Sequence, residues 1–357
     1  MDKTALIGLM SGTSLDGLDI AHVEFSEDGS ASISFKLLHS ENVHFPKELR
    51  DALLKAAELP APQLLILDKK LGKFYAESVK QFIDRNKINL NEIRAIASHG
   101  QTIYHQPQNG FTLQIGCGTT LAYHTGLPVI NDFRTKDIVA GGQGAPLVPI
   151  GDFSLFSGQA DAFLNIGGFT NISYKELGVI KAFDICPGNL PLNKLSASKG
   201  LDYDRNGDLA RSGDINFFLL DMLNSLEYYQ QNGPKSLGTE WLEEHFYPLL
   251  KFDKEIESNL RTVVEHIAIQ ISNILHKAAL KSVMITGGGA LNKFLIERIA
   301  HYFGGKLIIP NKELIDFKEA IIFAFLGYRY LQNKPNNIPS VTGAAVEVVG
   351  GTLHTPN

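Results

Sequence analysis

Apolar and polar positions along the chain fall into two successive series of the same kind. Thr4–Leu9, Leu18–Phe25 and Ser32–Asn42 are short runs rich in β-branched and aromatic residues, and they predict three strands. Leu64, Leu67, Leu71, Phe74, Val79 and Phe82 follow close to a 3.6-residue period and predict a helix with one apolar face. Ile93–Ala97 and Thr112–Ile115 read as strands, a short helix starts near Thr119, and Val129–Phe133 reads as a strand. The series then begins again. Phe163–Ile166, Ile172–Tyr174 and Ala182–Asp184 predict three strands, and Leu260, Val263, Val264, Ile267, Ile271, Ile274, Leu275 and Ala278 lie at helical spacing. The strand Ser282–Ile285, a helix through Phe294, Ile296 and Ile299, the strand Lys306–Ile309 and a helix from Asp316 to Leu331 complete it.

Two halves of βββαβαβ order predict an α/β protein built from two ribonuclease-H-like lobes. The arrangement expected is that of actin-like ATPases and sugar kinases, with a nucleotide in the cleft between the lobes. The first lobe is expected over residues 1–130, with residues 340–357 returning to it. The second is expected over 131–339, with a partly helical insertion near 193–238, close to the cleft, where strand signal is poor. A chain of 357 residues has room for two such cores. Its composition, 44% hydrophobic and 20% charged, is that of a globular protein and argues against disorder. A formal charge of −5 without a basic block gives a nucleic-acid partner no electrostatic support. Cys117 and Cys186 are too few for a disulfide framework. With no secretory-type leader and no apolar run of membrane-spanning length, a cytoplasmic protein is expected.

Candidate chemistry gathers at the glycine turns. Gly12-Thr13-Ser14-Leu15-Asp16-Gly17-Leu18-Asp19 lies between the first two strands, where small residues let backbone N–H groups approach an anion and hydroxyls donate to it. A carboxylate there can hold a divalent cation. No Gly-Lys-Ser/Thr follows, so the turn is not a Walker A loop. Gly167-Gly168 repeats the arrangement in the second half, and Thr286-Gly287-Gly288-Gly289-Ala290 alone suits a turn that needs tight packing but, beside the two glycine hairpins, reads as flat backbone for an adenosine. Asp184, at a strand end before Pro187-Gly188, suits a general base or an N-cap. Arg134 suits a bidentate grip on a substrate carboxylate or a surface ion pair. His99 and His105 stand six positions apart, which does not match a helical zinc pair, so a histidine that hydrogen-bonds substrate or backbone is expected. Asp202–Gly207 resembles the start of a calcium loop but has Gly213 at the twelfth position, and reads as an Asx-rich turn. No metal ligand is assigned.

Taken together, the chain resembles the anhydro-N-acetylmuramic acid kinase family. The resemblance rests on Gly8-Leu9-Met10-Ser11-Gly12-Thr13-Ser14-Leu15-Asp16-Gly17, Ser98-His99-Gly100-Gln101-Thr102, Thr112-Leu113-Gln114-Ile115-Gly116 and Gly141-Gly142-Gln143-Gly144-Ala145-Pro146-Leu147-Val148-Pro149. It extends through Asn165-Ile166-Gly167-Gly168, Pro234-Lys235-Ser236, Thr286–Ala290 and Glu319-Ala320. It implies an ATP- and Mg²⁺-dependent homodimeric enzyme of peptidoglycan recycling. Such an enzyme opens 1,6-anhydro-N-acetylmuramic acid with water and phosphorylates O6, giving N-acetylmuramic acid 6-phosphate. It further implies that Gly12 through Asp19 bind phosphate, that Asp184 activates the water, and that His99, Thr102, Arg134 and Glu319 line the sugar pocket. Set against the family pattern, Ile185 and Cys186 stand where Thr-Gly is usual, and Cys117 and Asn193 stand where Asp is usual. A non-catalytic or chaperone-like ATP-binding protein on the same scaffold is the alternative, since fold alone does not fix chemistry. A metal-dependent glycoprotease-like protein is disfavoured by the histidine spacing.

Overall fold

The computed structural model describes residues 3–12, 15–27, 33–231, 235–252 and 255–357. Thr13, Ser14 and Pro234 lie outside the described residues, as does the start of the run Ser32–Asn42. The strands are β1 (Lys3–Met10), β2 (Gly17–Glu27), β3 (Ile33–His44), β4 (Ile93–Ser98), β5 (Gln101–Gln106), β6 (Phe111–Ile115) and β7 (Val129–Asn131). They continue as β8 (Ala162–Ile166), β9 (Phe169–Glu176), β10 (Val179–Pro187), β11 (Ser282–Thr286), β12 (Lys306–Ile308) and β13 (Thr352–His354). The chain divides into two compact units, one of residues 1–157 with 317–357 and one of residues 158–316.

In the first unit the sheet order is β13-β7-β4-β1-β2-β3. β1, β2 and β3 form an antiparallel meander, while β4 runs parallel to β1 and β7 parallel to β4. β1 is apolar on both faces because helices cover both. Ile7, Leu9, Leu18 and Ile20 meet Leu71, Tyr75 and Phe82 of the helix Ala61–Asn86 in one core. On β2, the Phe25 ring lies 5.8 Å from Phe325 and 5.1 Å from Tyr328 of the helix Lys312–Leu331. The second unit repeats the order as β10-β9-β8-β11-β12, with an antiparallel meander and two parallel strands beyond its first member. Leu260, Val263, Val264, Ile267 and Ile271 of the helix Ile256–Lys277 are fully buried in its core. Each unit thus has the expected ribonuclease-H-like strand order.

The division between units differs from the expected 130 and 340. Phe156 is buried and packs edge-on at 5.4 Å against Phe35 of β3, which keeps the chain in the first unit through residue 157. The return comes at Phe317 because Phe323 packs on His99 and Phe133. The helix expected from Asp316 starts at Lys312, four residues early, where Asn311 Oδ1 accepts the Leu314 N–H. Thr112–Ile115 does not extend the main sheet; it pairs with β5 in a separate two-stranded sheet. Residues 193–238 hold helices and no strand among those described, and Leu219 and Leu223 are fully buried in the second core.

Candidate functional site

In the first unit the candidate groups sit at the carboxyl ends of β1 and β4, the edge where open α/β sheets bind ligands. The β1–β2 hairpin closes after Met10, which pairs with Asp19. Leu15 adopts φ 54° and donates its N–H to the Gly12 carbonyl at 3.3 Å. The Leu15 and Leu18 side chains are buried in the core, so only their backbone faces a ligand. Gly17 is required by close approach, since a Cβ there would lie 2.6 Å from the Val43 carbonyl oxygen. Asp16 is exposed and its carbonyl bonds His44 Nδ1 at 2.9 Å, while Asp19 Oδ1 accepts Asn42 Nδ2 at 2.7 Å. Ser11 donates to the Gln101 side-chain oxygen, and the His99 N–H reaches the Leu9 carbonyl at 3.0 Å. These two bonds join the hairpin turn to the segment after β4.

That segment carries the proposed sugar ligands. His99 Nε2 accepts from Arg134 Nε at 3.2 Å and from the Arg134 terminal nitrogen Nη2 at 2.9 Å. An arginine only donates, so His99 is protonated at Nδ1, which donates to the Gly100 carbonyl at 2.8 Å. Burial, reinforced by the Arg134 charge, pushes the His99 pKa down to about 3, and the ring is neutral at physiological pH. Arg134 also donates Nη1 to the Gly144 carbonyl at 2.8 Å. It forms no ion pair among the described residues and stays cationic, with a pKa lowered by burial to about 10. Three of its five donors are engaged, leaving two for a ligand. Thr102 Oγ1 accepts Gln114 Nε2 at 3.3 Å across the β5–β6 pair. Burial raises the Glu319 carboxyl pKa, against the charges of Lys318 and Arg134. Lys318 itself is spent on Asp152 at 2.9 Å. Buried Asp137 holds the glycine loop, accepting the Gly144 N–H, Asn337 Nδ2 and Thr342 Oγ1 at 2.7 Å each.

In the second unit Gly167-Gly168 forms the tight β8–β9 turn. A Cβ on Gly167 would meet nothing closer than 3.5 Å, and one on Gly168 would touch Leu190 at 3.2 Å. The three glycines after β11 are not equivalent. Gly287 has φ 80° and Gly289 lies against Ile166, where a Cβ would stand 2.2 Å from Cγ2. At Gly288 the nearest atom to an added Cβ is Asn189 Nδ2 at 3.5 Å. Of these five glycines, Gly167 and Gly288 are the two at which an added Cβ would meet no atom closer than 3.5 Å, an ordinary van der Waals contact.

Asp184 lies on β10. The helix Asn189–Ala197 that follows is capped at Gly188 without a side-chain bond, so Asp184 is not its cap. Its Oδ2 accepts the Leu237 N–H at 2.9 Å, and Oδ1 takes no hydrogen bond from the described residues. Burial raises its pKa, opposed by that one hydrogen bond. Asp204 uses both carboxylate oxygens on the N–H groups of Leu209 and Ala210, five and six positions on, and not on the N–H two positions on that an Asx turn would use. Nothing in the sequence pattern marks Asn42, Asp137, Tyr228 or Leu237, whereas Gln101 and Lys235 lie within Ser98–Thr102 and residues 234–236, two of the segments that carry the family resemblance.

The family model described as anhydro-N-acetylmuramic acid kinase matches residues 4–356. Proteins of that name from three bacteria are similar over almost the full length of both chains. The Shewanella oneidensis protein is 39% identical over 369 residues, covering 98% of each chain. That of Pseudomonas paraeruginosa is 38% identical over 368 residues, again 98% of each. That of Mannheimia succiniciproducens is 36% identical over 377 residues, 99% of each. The chain belongs to the anhydro-N-acetylmuramic acid kinase family.

Proposed function

We propose that this protein opens 1,6-anhydro-N-acetylmuramic acid with water and phosphorylates O6 at the expense of ATP, yielding N-acetylmuramic acid 6-phosphate for cell-wall recycling. The observation that carries the reading, beside family membership, is the state of Asp184. One carboxylate oxygen is held by the Leu237 N–H, the other takes no hydrogen bond from the described residues, and burial raises its basicity toward the operating pH. Oδ1 takes the proton of the water that attacks the anomeric carbon. The bond from that carbon to O6 breaks, and O6 attacks the γ-phosphorus of ATP as ADP leaves. Backbone N–H groups of the turn from Gly12 to Asp19 receive the phosphates, and the open backbone at Gly288 and Gly167 receives the nucleoside. Asp16 or Asp19 would hold a Mg²⁺ ion, which would supply positive charge against the charge developing in transfer. Arg134 offers its two remaining donors to the sugar's carboxylate, with neutral His99 fixing the guanidinium plane. Thr102 and Glu319 complete the sugar pocket. The protein acts in the cytoplasm as a homodimer, so its solution mass is about twice the chain's 39.2 kDa.

Purified protein given ATP and Mg²⁺ should consume ATP only when the anhydro-sugar is present, and the product should carry both an added water and a phosphoryl group by mass spectrometry. ATP consumption indifferent to the sugar would favour a chaperone-like ATPase instead.

A further inference from the structure

Asp184 is gripped by a stretch of chain of which the roles above use only the Leu237 N–H. β10 bulges at this point: Asp184 pairs with Asn171 and Cys186 with Thr170, so Ile185 is the extra residue. The Asp184 N–H goes to the Lys235 carbonyl at 2.9 Å. Its carbonyl accepts the Tyr228 hydroxyl at 2.7 Å, and Oδ2 accepts the Leu237 N–H. Three polar handles of one aspartate therefore end on Tyr228, Lys235 and Leu237.

Lys235 ties this stretch together. Its Nζ donates to the Tyr228 carbonyl at 2.7 Å and the Gln231 carbonyl at 3.5 Å, and it stands 4.2 Å from the centroid of the Tyr228 ring. It forms no ion pair among the described residues, and burial and the Lys277 charge both disfavour its ammonium form. Holding a half-buried ammonium on carbonyls and an aromatic face alone is costly, which is out of keeping with an ordinary surface lysine. Tyr228 is buried, with its ring 5.4 Å from Trp241 and 5.6 Å from Tyr229. Tyr229 is fixed in turn by a 2.8 Å bond to the buried His266.

We propose that Lys235 and Tyr228 are positioning residues for the base: they staple residues 228–231 to 235–237, so that the Leu237 N–H holds Oδ2 of Asp184 and Oδ1 stays free for the proton of water. The inference rests on the reading of Asp184 as the base. The titratable groups facing Asp184 are the Tyr228 phenol and the Cys186 thiol, both pushed above their ordinary values by burial and so neutral, with Lys235 behind them. The Leu237 N–H is the contact that lowers the Asp184 pKa. Loosening the staple removes it and raises that pKa further.

The test is steady-state kinetics of Lys235→Met against pH, with ATP and anhydro-sugar varied. The kcat should fall about tenfold, roughly 1.4 kcal/mol of barrier, with both KM values little changed. The acid limb of kcat should move to higher pH, and Lys235→Arg, which keeps donors, should recover part of the loss. In an Asp184→Asn background Lys235→Met should add nothing further, since no base remains to be positioned. Wild-type kcat and acid limb in Lys235→Met, beside an impaired Asp184→Asn, would overturn the inference and leave the base standing. A loss that simply adds to that of Asp184→Asn would mean scaffolding only and would also overturn it. Wild-type turnover in Asp184→Asn would instead remove the reading beneath it. If Lys235→Met does not fold, Tyr228→Phe, which loses one hydroxyl and keeps the ring, carries the same test with a smaller effect.

Discussion

Gly288→Val distinguishes a glycine kept for a ligand from glycines kept for the fold. In the turn after β11, a Cβ at Gly289 would overlap Ile166 Cγ2 at 2.2 Å, deep in the second core. Overpacking of that kind costs about 1–3 kcal/mol. At Gly288 the nearest atom to a Cβ is 3.5 Å away, an ordinary van der Waals contact, and φ is not left-handed. Its substitution should change stability by under about 1 kcal/mol, a glycine replaced at a compatible site being near neutral. The added isopropyl group would fill the space into which the nucleoside is proposed to pack. Affinity for a non-hydrolysable ATP analogue should therefore drop at least about tenfold, or ~1.4 kcal/mol. Calorimetric titration and thermal melting of Gly288→Val and Gly289→Ala read both quantities. Unchanged ATP affinity in a folded Gly288→Val variant would take the turn out of the nucleotide site. Wild-type melting of Gly289→Ala would refute the contact argument.

Two further outcomes concern stability. His22, His99 and His266 are held neutral by burial, with pKa values lowered to about 4, about 3 and about 3. The unfolded chain binds protons there that the folded chain does not. Stability is therefore complete above the ordinary histidine value of 6.5 and falls as pH drops toward the folded values, by about 1.4 kcal/mol per pH unit for each histidine. Urea midpoints measured between pH 7.5 and 5.5, a window of about two units around the histidine pKa, should decline with acid, and a flat profile would contradict the burial argument. Asp137→Ala strands the Gly144, Asn337 and Thr342 donors and should cost at least about 3 kcal/mol, against a small effect for a surface aspartate. Denaturant titration that finds under 1 kcal/mol would show that water replaces the carboxylate.

The parts of the fold legible in the sequence are those with local periodicity. The strands β1 and β2 and the helices over 61–86 and 256–277 announce themselves because one residue spacing decides which face is buried. β5 escaped because Gln101–Gln106 is short and polar, and it is a strand through its pairing with β6. The unit boundaries escaped for a related reason: Phe156 and Phe323 owe their place to partners far along the chain. Glycine turns and Asp184 were visible as residue types, but Leu15 and Leu18 inside the first turn serve the core. The His99–Arg134 pair joins residues 35 positions apart, and nothing in either neighbourhood signals it. The grip on Asp184 likewise depends on a bulge at Ile185, which a period-two pattern does not reveal.

Turnover of Asp184→Asn tests the central claim most directly. Asparagine keeps the shape and can still accept the Leu237 N–H, but it cannot take a proton from water. General-base catalysis contributes about 10²–10⁴-fold, roughly 3–5 kcal/mol of barrier. The variant should lose about that factor in kcat while binding ATP and the anhydro-sugar normally and melting no lower than wild type, since it removes a carboxylate that burial disfavours. Near-wild-type turnover in a folded Asp184→Asn protein would contradict the account.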